Sequence, residues 1–521
     1  MKKFVKVLST TALAACMVLP AFAGCGGFGG GKKIIRIDGG GDIGNYNTTA
    51  DMVQSPSNPY PYNTLEVLCD EWEKLNPEYE VEISRTSNGG DQQTITALLS
   101  VPGNAPEILY QNGGVINSQL GQDYYVPLNE YLNKENPYDT NEDHDKWIDL
   151  YDTTVFTTAA DGERYYINLE QQPIGILYNK DLLELIEVDP SELETFTGFM
   201  QAQEKLIQYN AEHGTNYLTY LTPYRWYDLQ LESSLYGASI SEMDTLIEDV
   251  RVDTEELCRA YNKGLWGVGQ TYTDEGGQTK IADDGLFELY LRLIKLRTKY
   301  YPANFGSYNA VTSFVNGDCL FIEGTGGTMR QVDSNTAVKF DMGVVGYPTL
   351  SLQDLLNFEE TASLTRDLGL EEDDIVNSRR GSAGYATAWF VSNSAVANDV
   401  VDGCIDLLMY LTAPEQNNRL VGDLGGGIPL NPDEDTEISS YLTDVVEMYA
   451  EDSKDPSLMK WGSFSHWSVL TLDYNSYFLT DTLSYINNEI TLEQLMTDLK
   501  GQIAVNIRKF MNENDYDTSK W

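Results

Sequence analysis

Histidine and basic residues are scarce in this sequence: three His and 34 Lys plus Arg stand against 80 Asp plus Glu, a formal net charge of -46. That balance excludes nucleic acid as a partner, because its phosphates need Lys and Arg to neutralise them. His144, His213 and His466 are the whole histidine inventory, and none stands four residues from another as a zinc-binding H-E-x-x-H helix requires. No G-x-S-x-G elbow occurs, so Ser/His/Asp hydrolysis has no support. A glycosidase needs only two carboxylates, and among so many acids the sequence singles out no pair. The acidic excess reads as a solvated, aggregation-resistant surface.

Cysteine is also sparse. Past the first 25 residues there remain Cys69, Cys258, Cys319 and Cys404, none at a metal-ligand spacing from another. Cys404 falls on the apolar stripe Val401, Cys404, Ile405, Leu408, one face of a helix. Buried free thiols are expected, with no metal and no cofactor.

Apolar runs of membrane-spanning length, about 20 residues, are missing beyond the start of the chain. The start itself is Met1-Lys2-Lys3 followed by a mainly apolar stretch to Ala23, which reads as a secretory signal over residues 1–24. Two cysteines compete for lipidation. Leu13-Ala14-Ala15-Cys16 fits the lipoprotein pattern in every letter, but cleavage there leaves apolar Met17 to Phe22 at the new terminus. Phe22-Ala23-Gly24-Cys25 is followed by Gly26 to Gly31, a flexible tether over residues 25–33. Cys25 is therefore the preferred site. Diacylation supplies the two chains that stable anchoring takes, and the chain is expected outside the cell membrane, held there by lipid.

The remainder alternates strands with helices. Ile34 to Ile37 reads as a strand; Asn63 caps a helix in a box with Glu66, and Leu65, Leu68, Trp72 and Leu75 line its buried face. Glu80 to Ile83, Asp91 to Val101 and Glu107 to Tyr110 continue as strand, helix and strand. This β-α-β-α-β run predicts an α/β fold with a mostly parallel sheet. Further strands are expected at 165–168, 174–178, 319–323, 342–347 and 385–392, with helices around 190–209, 287–294 and 412 onward. Ser351 to Arg380 and Ser453 to Trp467 break the rhythm and read as long loops.

Two motif fragments fail on context. Gly39, Gly41 and Gly44 spell G-x-G-x-x-G, yet Asn45 to Tyr62 follows with Pro56, Pro59 and Pro61 in place of a helix. The dinucleotide fingerprint must open a helix, so a loop at the mouth of a site is the better reading. Asp139, Asn141, Asp143 and Asp145 imitate the start of a calcium loop, but the sixth position lacks Gly and Leu150 occupies the twelfth. A solvated acidic loop is expected there.

Several segments, in order, resemble the family 1 extracellular solute-binding proteins of ABC importers. Leu75-Asn76-Pro77-Glu78-Tyr79-Glu80-Val81 and Gly103-Asn104-Ala105-Pro106-Glu107-Ile108 resemble two of that family's stretches. The most specific match is Asp161-Gly162-Glu163-Arg164-Tyr165-Tyr166 followed by Tyr178-Asn179-Lys180-Asp181-Leu182. Phe314 to Phe321 and Phe340 to Pro348 continue it. The resemblance implies a two-lobed, periplasmic-binding-protein-like fold, lobes joined by three crossings near Tyr151 to Asn168, Tyr308 to Asn316 and Gly381 to Phe390. Lobe 1 is expected over 34–155 and 315–382, lobe 2 over 156–314 and 383–521.

It further implies a non-enzymatic, monomeric receptor that closes on an oligosaccharide by hinge bending and hands it to ABC permease subunits. Sugar rings want aromatic planes for their C–H faces and polar side chains for their hydroxyls. Thr222-Pro223-Tyr224-Arg225-Trp226 resembles the family's sugar-stacking loop, making Tyr224 and Trp226 the leading site residues. Asp42, Asn45, Gln111 and Asn112 follow strands at their C-termini, where open α/β sheets bind ligands. Glu170 and Gln172 lie at a crossing, and Trp461 and Trp467 resemble a late aromatic cluster over the cleft. Where the family carries a Trp in "G-x-W", this chain reads Gly324-Thr325-Gly326, which leaves room for a longer or branched chain.

Overall fold

The computed structural model describes residues 31–39, 63–84, 92–112, 123–151, 162–171, 173–221, 225–242, 246–247, 251–252, 255, 258–259, 272–273, 279–280, 284–302, 305–333, 335, 337–376, 378–379, 387–424, 427–431, 440–442, 459–460 and 472–517. Strand β1 (Lys33–Asp38), helix α1 (Thr64–Leu75), β2 (Tyr79–Ser84), α2 (Gln92–Leu99) and β3 (Ile108–Asn112) form the expected β-α-β-α-β run. β1 pairs in parallel with β2 and β3. Helix α1 buries Leu65, Leu68 and Trp72. Leu75 does not join them: it is 62% exposed, because the helix ends at Asn76, whose N–H closes on Trp72 O. The expected capping box is absent too. The Asn63 amide nitrogen donates to the Glu66 carboxylate at 3.0 Å, and its side chain makes no cap bond to the helix backbone.

The chain continues through β4 (Tyr166–Ile167), β5 (Glu170–Gln171), β6 (Ile174–Asn179), α3 (Phe196–His213), β7 (Leu218–Tyr220), α4 (Arg225–Glu242), α5 (Asp284–Arg297), α6 (Ala310–Val315), β8 (Cys319–Thr325), α7 (Gly326–Asp333) and β9 (Met342–Val345). It ends with α8 (Glu359–Leu368), β10 (Thr387–Val391), α9 (Val401–Thr412), α10 (Pro414–Leu424), β11 (Ile428–Pro429), α11 (Leu472–Ile486) and α12 (Leu492–Glu513). The segment expected as a loop from Ser351 holds a helix, Leu352–Asn357, and then α8. A capping box between Ser351 and Asp354 starts the first, and α8 buries Thr361, Ala362 and Thr365. A buried face built of Thr and Ala carries little hydrophobic periodicity. Of the second expected loop, 459–460 alone are described.

Two sheets organise two lobes: β2-β1-β3-β10-β4 in the first and β9-β6-β8-β7 in the second. This corrects the expected partition. Residues 319–345 belong with the second sheet, since β8 and β9 both pair antiparallel with β6. Residues 387–391 belong with the first, because β10 pairs antiparallel with β3 and β4. The tail stays with the second lobe, where Phe478, Leu495 and Ile503 share a core with Tyr290 and Ile294 of α5. Tyr308 to Asn316 is no crossing either: Phe314 of α6 packs with Leu177 and Ile322 inside the second lobe. The chain leaves the first sheet after Ile167, enters the second at Ile174, and returns between Val345 and Thr387.

Each lobe has its own core. Ile35, Ile37, Trp72, Ile108, Trp389 and Leu408 sit at the centre of the first, and Phe199, Tyr220, Leu291 and Phe321 at the centre of the second. Each fully buried apolar side chain of this kind contributes about 1.5–3 kcal/mol. Cys69, Cys258, Cys319 and Cys404 are buried and unbridged, as expected. Burial pushes the thiols of Cys69, Cys319 and Cys404 upward, so they pack as small apolar groups.

Candidate functional site

Register brings the functional candidates to two sheet edges. Thr387 pairs with Asn112 and Ala388 with Gln111, so β10 begins where β3 ends. β4 pairs antiparallel with β10 and therefore runs with β3, carrying the chain out at the same edge toward Glu170. Gln111, Asn112 and Glu170 thus share the C-terminal edge of the first sheet. In the second sheet, Ile174 pairs with Thr325, and β7 lies parallel to β8 with Tyr220 opposite Phe321. One edge therefore collects the start of β6, the ends of β8 and β7, and the first turn of α4, where Trp226 lies. Residues 168–173 join the two edges directly.

Asp42, Asn45, Gln172, Tyr224, Trp461, Trp467 and Cys25 lie outside the described residues, and of Gln111, Asn112 and Trp226 the backbone alone is described. Glu170 is fully buried. Its strand β5 pairs with β11, Glu170 opposite Pro429. At Gly427 a Cβ would stand 2.3 Å from the Glu170 carboxylate, so only glycine lets the two segments close with this side chain between them.

The joining segment is clipped to the first lobe by a residue that pattern reading passed over. Asn417, fully buried on α10, donates to Leu169 O at 2.6 Å and accepts from Leu430 N at 2.9 Å. Tyr151 adds a bond from its hydroxyl to Asn168 O at 2.9 Å. The available signal was an interruption: Asn417 sits on the stripe Ala413, Leu420, Val421, where an apolar residue belongs. A buried amide there needs partners, and both are backbone groups, one in the joining segment and one just past β11.

Beneath the second edge lies a buried polar network. Glu323 of β8 accepts from the hydroxyls of Tyr347 and Tyr220. The Tyr347 ring stacks on Tyr227 of α4, and Gln230 donates to Tyr347 O at 3.2 Å and Pro348 O at 2.8 Å. Arg297, 1% exposed, grips Asp228 with bonds of 2.8 and 3.0 Å and donates to the Tyr301 hydroxyl at 2.6 Å. These contacts anchor the first turn of α4, and with it the backbone of Trp226. Burial disfavours charge on Arg297, but Asp228 beside it overrides that and holds the guanidinium well above its usual value. Burial, with carboxylates nearby, pushes Tyr220 and Tyr227 well up. Both tyrosines therefore stay protonated, Tyr220 as a donor to Glu323 and Tyr227 as a packing surface.

At Gly324, a Cβ would meet Thr328 at 2.8 Å and Leu177 at 2.9 Å, so the backbone of β8 packs closely there. Among the described residues no group of three or more His, Cys, Asp or Glu converges on a point that could hold a metal. The acidic segment after Asn136 turns back on itself: Asp139 takes His144 at 2.7 Å and Asn141 N at 2.9 Å, and Asn141 takes Asp143 N at 3.0 Å. Among the described residues no helix is long and apolar enough to cross a membrane.

Solved structures share this fold at low identity. RafE from Streptococcus pneumoniae in its apo form superposes with a TM-score of 0.54 at 16% identity, covering 92% of this chain and 100% of its own. Lmo0181, an ABC substrate-binding protein from Listeria monocytogenes in complex with cycloalternan, gives 0.53 at 14%, covering 91% and 98%. The GacH receptor of Streptomyces glaucescens, studied unliganded and with acarbose, gives 0.54 at 12%, covering 92% and 99%. No curated protein matches the chain by sequence. The family model of the bacterial extracellular solute-binding proteins matches residues 55–348, more than half of the chain. With that match and the two-lobed α/β fold, the chain belongs to the bacterial extracellular solute-binding protein family.

Proposed function

We propose that this protein is the lipid-anchored receptor of an ABC importer, capturing an oligosaccharide between its lobes and delivering it unchanged to the permease. The carrying observation is the convergence of Gln111, Asn112 and Glu170 on one sheet edge and Trp226 on the other, with six residues joining the edges. Polar residues on one side and an aromatic residue on the other suit a sugar, whose hydroxyls and C–H faces need different partners. Acarbose on GacH and cycloalternan on Lmo0181 support the same ligand class. Tyr224 and Trp226 stack on the sugar rings in this reading. Asp42, Asn45, Gln172, Trp461 and Trp467 complete the cleft, Cys25 carries the lipid, and the receptor acts as a monomer.

Calorimetry against a panel of neutral oligosaccharides tests the proposal. Saturable binding to at least one is expected, lost on Trp226→Ala and Tyr224→Ala. Binding to amino acids or peptides with none to any glycan overturns it. Chromatography after prolonged incubation separates receptor from hydrolase: the glycan is expected back intact.

A further inference from the structure

The second lobe holds a cavity of about 760 Å³ between the end of α5, the turn joining α11 to α12, and the start of α8. None of the residues at the two sheet edges lines it. Its volume lies within the range of small-molecule sites, about 300–1,000 Å³. Tyr301, Phe305, Ile486 and Leu492 supply apolar wall, while Arg292, Lys295 and Lys299 bring three cations to a chain of net charge -46.

Two of those cations are matched by carboxylates. Arg292 donates to Glu288 at 2.9 Å, and Lys299 pairs with Glu360 at 2.8 Å. Lys295 differs. Its ammonium donates to Asn488 Oδ1 at 2.7 Å and Tyr485 O at 3.2 Å, both neutral, and stands 4.2 Å from the centre of the Tyr485 ring. An ammonium has three N–H donors. Two are used, and among the described residues the third meets no acceptor. Burial pulls the amine below its usual value, as follows for a half-buried charge without a counter-ion.

We propose that this cavity is a second binding site, for a small organic monoacid whose carboxylate pairs with Lys295 and whose apolar body lies against Tyr301, Phe305 and Leu492. A neutral sugar would leave the ammonium unmatched. A phosphate dianion would meet Glu360 and Glu489 on the same lining, whereas one carboxylate matches one open donor. The site is independent of the interlobe cleft and of what binds there.

Benzoate and its neutral twin benzamide are the probes, titrated by calorimetry into the full chain in detergent. One benzoate per chain is expected, with benzamide weaker by about tenfold or more, the weight of one charge-assisted hydrogen bond. Lys295→Met is expected to weaken benzoate by a similar factor, Lys295→Arg to retain it, and neither to change oligosaccharide affinity. As a check that needs no variant, benzoate is expected to protect Lys295 from acetylation, read by mass spectrometry, and benzamide to leave it open. No saturable benzoate binding, equal binding of benzamide, or a Lys295→Met variant that binds as the parent does overturns the proposal.

Discussion

Tyr227 and Tyr347 stack with ring centroids 5.5 Å apart and planes 9° from parallel, yet their hydroxyls have opposite fates. Tyr347 donates to the buried carboxylate of Glu323. Tyr227, fully buried, has no hydrogen-bond partner for its hydroxyl among the described residues. The stack ties the first turn of α4 to the segment after β9, so apolar contact positions the second edge while the Tyr347 and Tyr220 hydroxyls serve the carboxylate beneath it.

Tyr227→Phe is accordingly expected to be neutral or to gain up to about 1 kcal/mol, because it deletes a buried polar atom that makes no bond. Tyr347→Phe keeps the same stack but takes a donor from Glu323, and is expected to cost about 1–3 kcal/mol. Urea denaturation of the two variants decides it. Equal losses would mean that the Tyr227 hydroxyl has a partner after all.

Gly427→Ala is expected to destabilise by about 1–3 kcal/mol, the usual cost of forcing atoms into a packed site. The new methyl would stand 2.3 Å from the Glu170 carboxylate and 3.1 Å from Val421. Glu170 must swing away, so, with Glu170 in the proposed cleft, solute affinity should fall with stability. Gly427→Ala combined with Glu170→Ala should recover most of the stability and none of the affinity, as read by denaturation and calorimetry together.

Local pattern was readable where the physics is local. The alternation of β2 and the stripe Leu65, Leu68, Trp72 follow from side-chain period alone, and the short apolar runs of β1 and β3 place Gln111 and Asn112 at a strand end. Partner choice was not. β8 pairs with β6 across more than a hundred residues, and nothing in Cys319 to Thr325 marks β6 rather than β3 as its neighbour. Residues 315–382 and 383–431 were exchanged for that reason. Within the site, Glu170 was legible as a polar residue at a crossing, but Asn417 was not, since its two backbone partners exist only once the lobes are built.

Tyr138 provides a pH-dependent test. Its hydroxyl donates to both oxygens of Asp406, at 2.7 and 2.8 Å. Burial, reinforced by Asp406 against an opposing bond from Asn76, pushes the phenol up to about 12. The folded value exceeds the ordinary one near 10, so the stabilisation is full below about pH 10 and is lost as pH rises toward 12. Tyr138→Phe is expected to cost about 1 kcal/mol at neutral pH, less than a fully buried charged bond because the pair is partly exposed. Urea midpoints compared at about pH 8, about pH 10 and about pH 11.5 should show the gap between parent and variant closing only in the last interval. A gap independent of pH would assign the loss to packing.

Asn417→Asp separates the two bonds of the clip. Aspartate keeps the acceptor for Leu430 N but turns the donor toward Leu169 O, now at 2.6 Å, into a second acceptor. A buried carboxylate facing a carbonyl is costly, and a loss of about 3 kcal/mol is expected at neutral pH. Protonation restores a donor at that position. Burial raises the folded value of such a carboxyl above its unfolded one, so the penalty is small below about pH 4 and grows as pH rises through the unfolded value toward the folded one. Relative to the parent at each pH, the variant should therefore recover stability on acidification, and Asn417→Ala should not. If Asn417→Asp instead tracks Asn417→Ala across the range, the bond to Leu169 O holds nothing and the joining segment is fixed by the pairing of β5 with β11 and by Tyr151.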